Sequence, residues 1–321
     1  PKQQIYWKGW QNRYRSEKED CLSYLNVDRW INSGGKWWYR HADGSYTRND
    51  WERINGYWYY FDGSGWMQTG WLKLDNSWYW LNGSGAMATG WQKIGGSWYY
   101  FNGSGVMQTG WLKLSNSTYY LNGSGAMLTG WQLINGNWYY MNGSGTMLTG
   151  WQWIDNDWYY LYSNGVMRTG WLELGETKYY LDGSGAMRTG WFKVDSKWYY
   201  ANGSGAMQTG WLKTGNTWYY LNGSGIMLTG WQWIGCAWYY LNGSGAMLTG
   251  WQSIGGKWCY LNGSGAMKTG WYKVGSNWYY SNPSGVMRYS TWIGDYYLLG
   301  DGRMATNRWV GGYYVGADGK W

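Results

Sequence analysis

Every twenty residues this chain returns to the same order of apolar and polar positions. A tryptophan leads, an apolar residue stands fourth, two turn-forming residues follow, and a strand of the type Trp-Tyr-Tyr-Leu closes the stretch, as around Ile54-Asn55-Gly56 and Ile94-Gly95-Gly96. Asn-Gly and Gly-Gly suit two-residue hairpin turns, because the favoured primed turns need positive φ. Each unit is therefore expected to be a β-hairpin. A loop such as Asn82-Gly83-Ser84-Gly85 comes next, and its glycines permit a tight reversal into the following strand.

Full units lead with Trp51, Trp71, Trp91, Trp111, Trp131, Trp151, Trp171, Trp191, Trp211, Trp231, Trp251 and Trp271. Units this short bury their apolar faces only against neighbours, which points to a solenoid closed by atypical ends. The expected fold is all-β, a β-hairpin solenoid over residues 30–321. It divides into a divergent first repeat at 30–50, twelve twenty-residue repeats at 51–290 and a shortened cap at 291–321. Residues 1–29 read as a linker or the remnant of an upstream region, in which Ser16 and Glu19 suit a capping box at the start of a short helix.

With the turn at positions 5 and 6, position 3 pairs with 8 and position 1 with 10. Alternation then puts 1, 3, 8 and 10 on one face and 2, 4, 9 and 11 on the other. In the second full unit Trp71 and Trp78 share a face and Tyr79 lies on the reverse. If successive hairpins stack in a screw, Tyr99 of the next unit looks back at Trp71 and Trp78, and three rings surround one space at each seam. Packing alone would accept Phe, Leu or Ile, whereas positions 1 and 8 are Trp almost throughout. An indole face holds a cation with about 0.5–2 kcal/mol per contact, and aromatic cages recognise quaternary ammonium groups. The adjacent Met87 offers a soft wall that fits around methyl groups.

Composition sharpens this picture. The chain has 34 Trp, 35 Tyr and 54 Gly but only 3 Phe, so its aromatic content is almost wholly amphipathic. Its net charge of +8 comes from lysines and arginines scattered singly, with no basic groove beside the rings, which argues against a nucleic-acid partner. No run of about 18 apolar residues exists to make a membrane-spanning helix. The start at Pro1 reads as a processed protein or an excised piece.

Cys21, Cys236 and Cys259 follow no metal spacing and read as free thiols. Asn-Gly-Ser recurs at Asn82, Asn102 and Asn122 as a formal glycosylation acceptor, but a motif made by a turn at every period reads as backbone geometry. An acidic residue takes that loop position only at Asp62 and Asp182, so no calcium is implied. The sole histidine, His41, reads as a surface residue, and Glu17, Glu19 and Asp20 as a solvated helix start. With neither paired carboxylates nor a metal set, no enzyme and no cofactor is expected.

The stretch TGWLKLDNSWYWLNGSGAMATGW resembles the choline-binding repeat of pneumococcal and phage cell-wall proteins, also called the type 1 cell-wall-binding repeat, and the resemblance covers residues 30–321. The opening GGKWWYRHADGSYTRNDWERINGYWYYFDGSGWM is similar to the first repeats of an autolysin's choline-binding module. The resemblance implies a left-handed solenoid with about three hairpins per turn. It also implies choline held between consecutive hairpins by two aromatics of one unit and one of the next, helped by a Met.

Carried over residue by residue, the expected cages are Trp71, Trp78 and Tyr99 with Met87, then Trp91, Trp98 and Tyr119 with Met107, and Trp51, Trp58 and Tyr79 with Met67. They continue with Trp131, Trp138 and Tyr159 with Met147, then Trp151, Trp158 and Tyr179 with Met167, and Trp191, Trp198 and Tyr219 with Met207. Trp211, Trp218 and Tyr239 with Met227, and Trp251, Trp258 and Tyr279 with Met267, follow. Trp30, Trp37 and Tyr59 at one end, and Trp271, Trp278 and Tyr296 at the other, complete the set.

Three seams break the pattern. Thr118 and Lys178 replace the second tryptophan and Cys259 replaces the following tyrosine, at seams led by Trp111, Trp171 and Trp231. These lie three units apart, so the missing walls are expected to stack along one side and stay empty, with Lys178 filling the cationic place itself. By resemblance the ligand is choline or phosphocholine of wall or lipoteichoic acid, bound by a secreted surface module of a Gram-positive bacterium. Two alternatives stay open. One is a repeat array for α-glucan or another polysaccharide, which strict use of Trp disfavours. The other is the anchoring piece of a larger cell-wall hydrolase or adhesin, with a host protein partner or a homodimer also open.

Overall fold

Turn chemistry sets the register of every hairpin. In the computed structural model, which describes residues 7, 8, 10–18 and 26–321, Asn55 and Gly56 both take positive φ (48° and 89°), as do Gly95 and Gly96 (57° and 88°). Two residues of this hand let the strands pair without splaying. Gly70–Leu74 accordingly pairs with Ser77–Leu81, placing Trp71 opposite Trp80 and Lys73 opposite Trp78. The same five-residue register recurs through Gly270–Val274 and Asn277–Ser281. All sheets among the described residues are two-stranded and antiparallel, so the protein is all-β apart from helical residues at 7–8 and 10–18.

The chain forms two compact units. The first holds residues 1–150 and 161–167, with hairpins from Arg29–Ser33 and Lys36–Arg40 to Gly130–Ile134 and Asn137–Met141. The second holds residues 151–160 and 168–321, and ends in two shorter hairpins of three-residue strands, Thr291–Ile293 with Tyr296–Leu298 and Arg308–Val310 with Tyr313–Val315.

A thin core runs through each unit. Leu81, Phe101 and Leu121 in the first, and Leu181, Leu221 and Leu241 in the second, are wholly buried. The loop after each such residue is built by its own asparagine, or after Leu181 by Asp182, whose Oδ1 accepts in the same way. Asn82 Oδ1 accepts from the N–H groups of Ser84 and Ala86 and from the Ser84 hydroxyl, while Gly85 N–H donates to Asn82 O. This bears out the reading of Asn-Gly-Ser as turn geometry. Gly85 takes φ +82°, and a Cβ there would fall 2.2 Å from Met67 Sδ, so the glycine serves both the bend and the close approach of a neighbour's thioether.

Successive hairpins are joined by single backbone bonds. Met87 N–H donates to Trp58 O, and Met107 N–H to Trp78 O, each at 2.8 Å.

Two expectations at the N-terminal end change. Ser16 lies within the helical residues 10–18, near their end, and not at a helix start, while Glu19, Asp20 and Cys21 lie outside the described residues. His41 is part-buried, its Nε2 3.5 Å from Glu52 Oε1 and its ring edge-on to Tyr39. Of the other cysteines, Cys236 is an exposed free thiol and Cys259 a buried one.

Candidate functional site

At the seams led by Trp71 and Trp91 the leading tryptophan is gripped edge-on from two sides. Trp71 meets Trp80 of its own hairpin at 5.2 Å and Tyr99 of the next at 5.0 Å. Trp91 meets Tyr100 at 5.2 Å and Tyr119 at 5.0 Å. Edge-to-face contacts of this length are the favoured aromatic geometry, and they fix the plane of the indole. The second tryptophan stands across from it: Trp78 is 6.0 Å from Trp71 and perpendicular to it. Lys73, opposite Trp78 in the register, lies with Nζ 5.5 Å over that ring, and Lys193 and Lys213 do the same for Trp198 and Trp218. These three second indoles are steadied by a cation–π contact yet remain about 40% exposed, Trp78 and Trp218 both at 39%.

The structure brings most of the expected rings together. In the first unit Trp30 meets Tyr59 at 4.9 Å and Trp51 meets Tyr79 at 5.1 Å. In the second, Trp151–Tyr179, Trp191–Tyr219, Trp211–Tyr239, Trp251–Tyr279 and Trp271–Tyr296 stand 4.8–5.2 Å apart. Trp131 and Trp138 face each other at 6.4 Å in the first unit, and Tyr159 belongs to the second.

Open clefts lie between these rings. Trp51, Trp58, Tyr79 and Met87 line one of about 400 Å³, with Gly103 and Ser104 at its lip. Trp211, Trp218, Tyr239 and Met247 line another of about 300 Å³, with Gly263 and Ser264 in the same places. A third, of about 260 Å³, is formed by Trp271, Trp278, Tyr296 and Met304 with Asp318.

The methionine assignments need correction by one unit. Met87 lines the cleft of Trp51 and Trp58, and not that of Trp71 and Trp78. The cause is the inter-hairpin bond, which ties each Met N–H to the second tryptophan position of the preceding unit. By the same bond Met67 joins Trp37, Met107 joins Trp78, Met167 joins Trp138, Met227 joins Trp198 and Met267 joins Trp238. Met147 and Met207 join Thr118 and Lys178, so they sit at two of the defective seams.

Sequence reasoning missed Met247, Met287 and Met304, which line the Trp211, Trp251 and Trp271 clefts. It also missed the glycine–serine lip supplied two units on, and the position-10 ring that orients the leading tryptophan. The recurring Gly at position 15, small enough to admit the preceding unit's thioether, was the signal for where the methionines go.

At the irregular seams, Lys178 does not carry a loose cation. Its Nζ is 2.7 Å from Glu173 Oε1, the residue opposite it in the hairpin register. Beside it Tyr199 and Phe192 are buried against Trp171, with Phe192 stacked on Tyr180 at 5.3 Å. Cys259 is buried where a phenol would stand, and burial pushes its thiol up from its ordinary value.

Among the described residues no group of three or more His, Cys, Asp or Glu side chains is placed to hold a metal, and no helix is long and apolar enough to cross a membrane. The geometry defines a class: a hairpin-repeat protein with ring-lined clefts recurring at its seams. The sequence profile of the choline-binding repeat matches residues 48–90, 88–129, 148–189, 188–229, 228–269 and 248–292, and a second choline-binding repeat profile matches 286–321. The profile of a putative cell wall binding repeat matches 129–147. The chain belongs to the choline-binding repeat family.

Among solved structures, choline binding protein F from Streptococcus pneumoniae is 33% identical, covering 92% of this chain and 98% of that one with a TM-score of 0.43. CbpJ from Streptococcus pneumoniae is 34% identical over 92% of this chain and 100% of that one, with a TM-score of 0.38. The modular autolysin LytC from Streptococcus pneumoniae is 28% identical over 62% of this chain and 52% of that one, with a TM-score of 0.38. No curated protein sequence matches.

Proposed function

We infer that this protein is a noncatalytic attachment module that binds choline of wall or lipoteichoic acid through many weak clefts at once, at the bacterial cell surface. The observation that carries this is the recurrence of one cleft, two indoles, a phenol and a thioether, at Trp51, Trp211 and Trp271. A trimethylammonium group is a soft cation that no hydrogen bond can hold, and ring faces supply what binds it. Three rings at about 0.5–2 kcal/mol each leave little after the entropic cost of association, so a single cleft binds in the millimolar range. Many clefts against a polymer bearing many cholines raise the effective affinity by about 10²–10⁴.

Several finer points belong to this reading. The remaining seams with two tryptophans and a tyrosine bind the same ligand, and those led by Trp111, Trp171 and Trp231 do not. Within each unit the hairpins wind left-handed, about three to a turn, as the family resemblance implies. The module is secreted.

Calorimetric titration of the whole chain with choline and, separately, with glucose oligomers tests the reading. Choline is expected to bind at several sites, change tryptophan fluorescence and raise the melting temperature by preferential binding to the native state. A response to the glucose oligomers with none to choline would transfer the clefts to the polysaccharide reading.

A further inference from the structure

The cleft led by Trp251 departs from its neighbours in size and in the charges at its mouth. Trp251, Trp258, Tyr279 and Met287 repeat the usual lining, but the cavity measures about 640 Å³, against about 300 Å³ at Trp211 and 260 Å³ at Trp271. The extra room arises where the twenty-residue period ends. Tyr289 stands where a regular unit has a threonine such as Thr249, and the hairpin that follows has three-residue strands. Tyr289, itself exposed, walls the added space.

Two charged groups line this cavity. Lys257 opens the strand Lys257–Leu261 just after the hairpin turn, and among the described residues its ammonium enters no ion pair. Asp301 takes the lip position that Ser264 holds at the Trp211 cleft. Its Oδ2 accepts from Arg303 Nε at 2.6 Å and its Oδ1 from Arg303 N–H at 3.1 Å. Burial acts to raise the Asp301 carboxyl, but these hydrogen bonds outweigh it and hold the group below its ordinary value. The lining at Trp51, by contrast, is four nonionic side chains with a glycine and a serine, so anything beyond the ammonium group is left to solvent there.

We propose that the Trp251 cleft is a zwitterion site that takes a choline phosphate ester as one unit. The rings and Met287 hold the trimethylammonium with Asp301 beside it, while the Lys257 ammonium and the Tyr289 hydroxyl donate to the phosphate. A charged donor to phosphate makes a stronger hydrogen bond than a neutral pair. The added volume is what the phosphate and its ester oxygen occupy. The proposal rests on the choline reading above and adds that, among the described clefts, this one reads the anion as well.

The test is calorimetry on the full chain with choline, phosphocholine and inorganic phosphate as separate probes. In the unaltered protein phosphocholine is expected to show one site per chain about tenfold tighter than the rest, choline to show no such site, and phosphate alone to bind weakly or not at all. The double variant Lys257→Ser, Tyr289→Thr restores residues that regular units carry at those positions, as at Ser77 and Thr89. It is expected to bring the tight phosphocholine site back to the affinity of the others. A crystal of the unaltered chain soaked with phosphocholine should place the phosphate within hydrogen-bond distance of Lys257. Binding of choline and phosphocholine with a single common affinity, or a tight site that survives the double variant, overturns the zwitterion site and leaves the choline reading standing. Binding of neither overturns both.

Discussion

Trp218 and Leu221 sit three residues apart on one strand and answer to different demands. Trp218 walls a cleft and is 39% exposed, whereas Leu221 is wholly buried in the thin core. Trp218→Ala is expected to reduce the calorimetric choline count by one and to lower stability by about 1–2 kcal/mol, the share of indole burial lost. Leu221→Ala is expected to cost about 2–5 kcal/mol in denaturant melts through the cavity it leaves.

A further single-residue effect lies in the second unit. Tyr272 is buried with its hydroxyl 2.9 Å from that of the buried Ser281, and burial pushes its phenol up to about 12 against the opposing effect of that hydrogen bond. The unfolded chain releases this proton near pH 10 while the folded chain holds it. Stability from this group is therefore complete below pH 10 and is lost as pH rises through about 12, by roughly 2–3 kcal/mol. Tyr272→Phe should lower stability at neutral pH by about 1–3 kcal/mol, because the Ser281 hydroxyl loses its partner. The same variant should flatten the alkaline fall. Parallel stability–pH curves for the two proteins above pH 10 would reject the assignment.

At the scale of the hairpin, a loop glycine controls a cleft it does not line. A Cβ on Gly105 would fall 2.3 Å from Met87 Sδ, and Met87 is a wall of the Trp51 cleft. Gly105 also has φ +77°, which costs an L-residue roughly 1 kcal/mol. Gly105→Ala is expected to lower the melting temperature and to remove choline from the Trp51 cleft. A crystal with choline still seated there would show that the thioether yields without consequence.

This coupling also explains what could be read in advance. The hairpin register was legible because it depends on two adjacent turn residues, such as Asn55 and Gly56. The facing of Trp71 by Tyr99 was legible because alternation along a strand is strict. The place of Met87 was not, since it depends on a hydrogen bond to Trp58, a residue of the preceding hairpin, and its sequence neighbours suggested the wrong seam. The ion pair that occupies Lys178 was readable from the register, where Glu173 stands directly opposite.

For the molecule as a whole, the decisive feature is that one cleft draws on three consecutive repeats. Trp51 and Trp58 come from one, Tyr79 and Met87 from the next, and Gly103 and Ser104 from the one after. Among the described residues, the linings of the Trp51 and Trp211 clefts draw on nothing further along the chain. Removing residues 91–110 joins Gly90 to Trp111 in the same phase, so the shortened protein is expected to fold and to lose a single choline in calorimetry. Loss of cooperative melting, or of several sites at once, would show that recognition depends on longer-range order. If the deletion behaves as expected, the coding sequence can gain or lose whole periods by unequal recombination between its near-identical segments. Each such event resets the number of grips on the wall without passing through a misfolded ancestor, so array length becomes a trait that selection can adjust in steps.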